Sequence, residues 1–136
     1  MRLVFLLTMS AAGLVFAAAS GFSQQQPGFS FHYLDAERAA GQKLFNDHCA
    51  ACHASKQQVF GPSLNGVVGR PAGSVAGFPY SDALKKSGVV WTEDNLLKWL
   101  AGPASMIPDA LMPHVSFGDP AERVYVVEYL KSLKTR

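Results

Sequence analysis

Cys49-Ala50-Ala51-Cys52-His53 is the stretch that decides how this chain of 136 residues folds. Its two cysteines are the only ones in the sequence, and a histidine directly follows the second. This spacing is the attachment pattern of a c-type haem, in which each thiol adds to a vinyl group of the porphyrin. The adjacent imidazole is then placed to ligate the iron. The pattern therefore predicts one haem c held covalently by Cys49 and Cys52, with His53 as an iron ligand.

Three other uses of a Cys-x-x-Cys pair stand beside this one. A disulfide at this spacing would close a very small loop. A thioredoxin-type dithiol needs a preceding buried strand, whereas residues 35–45 have a helical pattern. A zinc site needs four ligands, usually from a second pair at a matching spacing, and His32, His48 and His114 do not supply one.

The N-terminal residues have the pattern of an export signal. Arg2 precedes an apolar run from Leu3 to Ala19 that ends in small residues, so residues 1–19 are predicted to be a signal peptide. An uncleaved anchor is the alternative, because the run is close to the roughly 20 residues that span a bilayer. We expect a periplasmic protein, or one anchored in the membrane and facing the periplasm.

After this segment, residues 20–34 are predicted to be a flexible, glutamine-rich lead-in, and residues 35–136 a single domain. The net charge is only +2. The sequence has neither a basic block nor basic residues interleaved with aromatic ones, so a nucleic-acid partner is not expected.

Three segments are predicted to be helical, with starts at the capping residues Asp35, Thr92 and Asp119. The stretch 54–90 is rich in glycine and proline and is predicted to be loop, apart from one short helix near residues 81–87. Long loops are uncommon in compact domains unless they are functional. The expected fold is all-α, with three main helices and long loops wrapped around one covalent haem.

The second axial ligand decides what such a haem can do. Met112 lies in a loop that Pro108 and Pro113 stiffen, and a thioether there would close the sixth position and favour electron transfer. His114 is a rival ligand, and Met106 is better explained as core packing. An open sixth position, which would allow small-ligand chemistry, is the remaining alternative.

Residues 35–135 resemble class I cytochrome c, of the mitochondrial and bacterial cytochrome c2 kind. The resemblance rests on motifs spread along the chain: Gly41-x-x-x-Phe45, Cys49-x-x-Cys52-His53, Gly61-Pro62-Ser-Leu64-Asn-Gly66-Val-Val-Gly69-Arg70, Phe78-Pro-Tyr80-Ser-Asp82-Ala, Val90-Trp91-Thr-Glu-Asp, Ile107-Pro108-x-x-x-Met112 and Glu128-Tyr129-Leu130-Lys131.

The resemblance implies roles for matching positions. Pro62 is similar to the proline whose carbonyl accepts a hydrogen bond from the axial imidazole. Arg70, Tyr80 and Trp91 are similar to the donors that satisfy a buried haem propionate, which would be costly to bury unpaired. Gly41 is similar to the glycine that lets the first and last helices cross closely, against Tyr129.

The chain departs from the family near the methionine. Ala110 and Leu111 stand where a threonine and a lysine are common, and Trp99 stands where a tyrosine is common near the ligand sulfur. Ala104 and Ser105 replace frequent lysines. We therefore expect a less polar pocket around the sulfur, lined by Trp99, and weak electrostatic steering of partners.

The resemblance implies a one-electron carrier and not an enzyme. The N-terminal pattern implies that it is exported, and we expect a monomer. Its redox partners would be an oxidase, a quinol-oxidising complex or a dehydrogenase, and it would contact a membrane only if the N-terminal segment is uncleaved. Two alternatives stay open. One is a haem protein with a labile sixth ligand, peroxidase-like or a ligand sensor. The other is a dedicated electron-accepting subunit of a periplasmic dehydrogenase, docked through residues 111–115.

Overall fold

The described part of the chain, residues 28–54, 58–113 and 117–134 of a computed structural model, is helical. Side chains are described from Tyr33 onward. The helices are α1 (Gly28–His48), α2 (Ala50–His53), α3 (Asp82–Lys86), α4 (Glu93–Ala101), α5 (Pro103–Met106) and α6 (Pro120–Ser132). These ranges contain no strand, only an isolated antiparallel bridge between Pro71 and Val90. The predicted all-α class is confirmed.

Capping side chains begin the later helices where the sequence predicted. The Thr92 hydroxyl accepts a hydrogen bond from the Asn95 N–H at 3.2 Å and starts α4. The Asp119 carboxylate accepts from the Ala121 N–H at 2.8 Å and starts α6. Such bonds satisfy backbone donors that have no partner inside the first helical turn. Ser81 does the same for the predicted short helix, α3.

The first helix begins at Gly28, upstream of Asp35, where we expected its start. Asp35 lies inside the helix and so does not cap its start; its carboxylate pairs with Arg38 along the helix surface. No proline or glycine lies between Gly28 and Asp35, so a helix once formed can extend backward to the residue after Pro27. Residues 28–34 of the predicted lead-in are therefore helical. Residues 20–27 and the predicted signal peptide, residues 1–19, lie outside the described residues.

The first and last of the main helices, α1 and α6, cross at Gly41. A Cβ added there would lie 3.0 Å from the Tyr129 Cβ and would overlap the Tyr125 carbonyl oxygen. Only glycine permits this approach, because any side chain would push the two backbones apart. Phe45 and Tyr129 pack next to the crossing, with ring centroids 5.2 Å apart.

The core lies between this crossing and α4. Val126, Val127 and Leu130 of α6 are buried, as are Leu96, Trp99 and Leu100 of α4. All of them except Val127 also line a cavity, together with residues of the loop segments. None of the described helices is long and apolar enough to cross a membrane.

Candidate haem site

A cavity of about 500 Å³ runs between the core helices and the loops. Its volume falls within the usual range for cofactor sites. Both cysteines, His53 and Met112 line it, together with many apolar side chains. The predicted haem residues on its wall are Cys49, Cys52, His53, Pro62, Arg70, Tyr80, Trp91, Trp99 and Met112. This donor set fits haem c, because it combines two thiols, an imidazole and a thioether with an apolar lining.

Cys49 and Cys52 both line the cavity, Cys49 buried and Cys52 partly buried. Burial raises the pKa of the Cys49 thiol to about 11, and the neighbouring Cys52 adds to the rise. A buried thiol of this kind stays protonated at neutral pH. A thioether carries no ionisable group, so covalent attachment to a vinyl carbon removes the burial penalty on the charged form altogether. The environment of Cys49 therefore suits a thioether better than a reactive thiolate.

A backbone carbonyl holds the His53 ring. Its Nδ1 lies 2.8 Å from the Pro62 carbonyl oxygen. A carbonyl can only accept, so this bond requires the proton on Nδ1 and leaves Nε2 with a free lone pair. Burial lowers the pKa of His53, while the bond to Pro62 opposes that shift. The net direction favours the neutral imidazole, which is the form that ligates a metal.

Gly61 lies against the same ring. A Cβ built on Gly61 would lie 2.8 Å from both Cε1 and Nδ1 of His53. That separation is closer than carbon atoms pack, so the ring position requires a glycine here. We assigned no role to Gly61 from the sequence. Its position directly before Pro62 was the available signal, since a residue next to the accepting carbonyl must lie beside the imidazole.

Met112 reaches the cavity from the loop after α5. Its Sδ accepts a hydrogen bond from the Trp99 indole N–H at 3.0 Å. Trp99 is buried and packs edge-on against Trp91, with ring centroids 5.1 Å apart. The thioether is therefore fixed by a side chain of the rigid helix α4. Of the other ligand candidates, Met106 packs against the hydrophobic core, and His114 lies outside the described residues.

Arg70 and Tyr80 place polar groups on the cavity wall. Arg70 donates to the carbonyl oxygens of Asn65 at 3.0 Å and Ser63 at 2.9 Å, which uses two of the five N–H donors of a guanidinium. Burial lowers the pKa of Arg70, and proximity to Tyr80 opposes that shift. Burial also raises the pKa of the Tyr80 phenol. Both groups are thus partly desolvated donors facing one cavity.

The cavity mouth has an apolar rim that the sequence did not reveal in full. Val59, Phe60 and Leu111 line the cavity and are 63%, 76% and 75% exposed. Leu111 was expected from the substitution of a common lysine, but Val59 and Phe60 were not singled out. No lysine, aspartate or glutamate occurs among the described residues that line the cavity.

Comparison with known proteins agrees with this geometry. Residues 38–134 match the family model described as "Cytochrome c". Cytochrome c2 iso-2 of Magnetospirillum fulvum is 49% identical over 88 residues, 62% of this chain and 91% of its own. Cytochrome c of Euglena viridis is 38% identical over 102 residues, 74% of this chain and 98% of its own. The solved structure of cytochrome cH from Methylobacterium extorquens is similar, with a TM-score of 0.66 and 42% identity over 70% of this chain and 97% of that one.

Proposed function

This chain belongs to the cytochrome c family, and on that premise we propose that it is an exported one-electron carrier with His53 and Met112 as its axial ligands. Family membership makes it a monohaem electron-transfer protein and not an enzyme, with haem c attached through Cys49 and Cys52. When bound, haem c supplies one iron that accepts and releases a single electron. One observation supports the proposed ligand pair: His53 and Met112 line the same cavity, and a hydrogen bond holds each of the two side chains.

His53 and Met112 would contribute to electron transfer by keeping the same positions in both oxidation states. The Pro62 carbonyl and Gly61 fix the imidazole plane, and the hydrogen bond raises the basicity of the ring. The Trp99 N–H fixes the thioether. Because both side chains are already oriented, little of the protein has to move when the charge changes. A His/Met pair also raises the reduction potential relative to two histidines.

Arg70, Tyr80 and Trp91 are proposed to hold a propionate. All three line the cavity and carry N–H or O–H donors, and Trp91 is buried. A carboxylate removed from water needs such donors, and an Arg gives the strongest charge-assisted bonds. The two carbonyl bonds of Arg70 keep its guanidinium at the cavity wall.

The proposed docking surface is the apolar rim of Val59, Phe60 and Leu111. Family membership indicates redox protein partners, and we propose an oxidase, a quinol-oxidising complex or a dehydrogenase. The rim carries no charge, so encounter depends little on long-range attraction. Electron-transfer rates with a purified acidic partner should therefore change little between about 20 and 200 mM salt. A steep fall over that range would refute the apolar docking surface.

Ligand replacement tests the axial pair directly. The oxidised wild-type protein should show a thioether-to-iron absorption band and should bind cyanide slowly, because Met112 occupies the sixth position. Met112→Ala should lose the band and bind cyanide at once. Met106→Ala is the matched control, since it removes a thioether that packs in the core and should keep the band.

The same measurements separate the alternatives. Rapid cyanide or carbon monoxide binding to the wild type, with no thioether band, would overturn the carrier assignment and favour a protein with a labile sixth ligand. Co-purification in fixed ratio with a large dehydrogenase would favour a dedicated subunit. N-terminal sequencing of the mature protein tests export: a start near Ser20 supports a cleaved signal in residues 1–19, and a start at Met1 refutes cleavage.

A further inference from the structure

The loop that delivers Met112 contains a residue in an unusual backbone conformation. Asp109 has a φ of 63°, in the left-handed region, and is one of two non-glycine residues with positive φ among those described. The Ala110 N–H donates to the Ile107 carbonyl oxygen at 3.2 Å and closes a turn over residues 107–110. Pro108 at the second position and a positive φ at the third are the features of a type II turn.

That third position is one where a side chain is unfavourable. In the left-handed region the Cβ of an L-residue crowds its own backbone, which glycine avoids. Aspartate and asparagine tolerate the region better than alanine does, because their short polar side chains bond locally. The turn before Met112 is therefore closed at a conformational cost that depends on the residue at position 109.

Contacts on both sides of Asp109 hold the turn closed. Ile107 is 5% exposed and anchors its beginning in the core. At the far end, Trp99 donates to the Met112 Sδ. Asp109 itself is exposed, so its left-handed φ is held by the turn and by these contacts on either side of it. Ile107 belongs to the buried core, whereas Met112 lines the cavity, where an added ligand such as cyanide would compete with it.

We propose that Asp109 is a positioning residue for the sixth ligand: its left-handed backbone sets how readily the Met112 side leaves the site. This inference rests on the proposed ligation by Met112. When Met112 departs, the turn opens and residue 109 relaxes to an ordinary φ. A residue that favours the left-handed region keeps Met112 in place for longer, and one that resists it shortens that time.

A series of variants at one position separates backbone strain from charge. Asp109→Gly removes the strain, Asp109→Ala increases it, and Asp109→Asn removes the charge but keeps the left-handed tolerance. The readout is the limiting rate of cyanide binding to the oxidised holoprotein, which reports the departure of Met112. We expect Asp109→Gly to slow this rate and Asp109→Ala to speed it, each by roughly three- to tenfold, and Asp109→Asn to stay within about twofold of wild type.

Gln58 provides a matched control, because it is the other described non-glycine residue with positive φ, at 50°, and it lies outside this loop. Gln58→Gly should leave the cyanide rate within about twofold of wild type. Cyanide-binding rates that are unchanged in both Asp109→Gly and Asp109→Ala would overturn the inference. It would also be overturned if Asp109→Asn changed the cyanide-binding rate as much as Asp109→Gly does.

If the wild type lacks the thioether band, Met112 is not the ligand, and this inference is refuted together with the proposed ligation. If the wild type shows the thioether band but the Asp109 variants bind cyanide at the wild-type rate, only the role of Asp109 is refuted.

Discussion

Replacing Gly61 with alanine tests how the His53 ring is held. The new methyl group would lie 2.8 Å from two atoms of the ring and 3.1 Å from the Cys52 carbonyl oxygen. The ring is also held by the Pro62 carbonyl oxygen, which lies 2.8 Å from its Nδ1. If His53 ligates the iron as we propose, its ring could not swing away without disturbing that bond, so either the loop at Pro62 would move or the ring would tilt. Both outcomes weaken the Nδ1–H···O bond.

Two costs set the size of the effect. Overpacking a close contact costs about 1–3 kcal/mol, and losing one buried hydrogen bond costs about 0.5–1.5 kcal/mol. We therefore expect Gly61→Ala to lower the free energy of unfolding by roughly 2–4 kcal/mol. The bond to Pro62 raises imidazole basicity and so favours the ferric state. Its loss should raise the reduction potential, by at most about 60 mV if the whole bond energy acts on the ferric state.

Thermal unfolding of the oxidised holoprotein and equilibrium redox titration measure the two effects. Gly118→Ala is the control, because a Cβ there meets nothing within 4 Å and φ is not in the left-handed region. We expect that variant to unfold within about 1 kcal/mol of wild type, with an unchanged potential. If Gly61→Ala gives the same unfolding free energy and the same reduction potential as Gly118→Ala, then the claim that Gly61 positions the His53 ring is refuted.

Three further perturbations test other contacts. Gly41→Ala places a methyl group against the Tyr125 carbonyl at the α1–α6 crossing, so the melting temperature should fall by roughly 4–20 °C; an unchanged melting curve would contradict the close crossing. Trp99→Phe removes the N–H donor to the Met112 Sδ and should speed cyanide binding by about fivefold, and an unchanged rate would show that the bond does not retain the ligand. Burial raises the pKa of Tyr80 above its ordinary 10.0, so the stability that its neutral phenol contributes is complete below that pH and is lost as pH rises through the higher native pKa. Unfolding midpoints measured from pH 9 to 12 should therefore fall less steeply in Tyr80→Phe than in wild type, and parallel curves would refute this contribution.

Local chemistry explains the parts of the fold that could be predicted. Thr92 and Asp119 cap α4 and α6 as expected, because a capping side chain acts on N–H groups two or three residues away. The start of α1 was placed wrongly. Asp35 has a side chain suited to a cap, but the helix continues upstream of it to Gly28, and there Asp35 pairs with Arg38 within the helix.

The site also has a part that the sequence predicts and a part that depends on tertiary packing. Cys49, Cys52 and His53 are neighbours in sequence, so their shared position on the cavity wall follows from a single short segment. Met112 and Trp99 come from separate segments, and the 3.0 Å contact between them depends on how α4 and the following loop pack. Gly61 was given no role of its own and Asp109 was not singled out, because neither a close contact nor a backbone angle can be read from a single sequence.

By itself, the sequence determined the cofactor and the helical class, because the haem motif and the helix caps act over a few residues. Only the tertiary structure showed that the His53 ring lies against Gly61 and the Pro62 carbonyl, and that the Met112 sulfur lies against the Trp99 indole. The Met112–Trp99 contact joins separate segments, and the His53–Gly61 contact depends on ångström-scale clearance. Tertiary packing determines these two contacts, and the spacing of residues along the chain does not encode them.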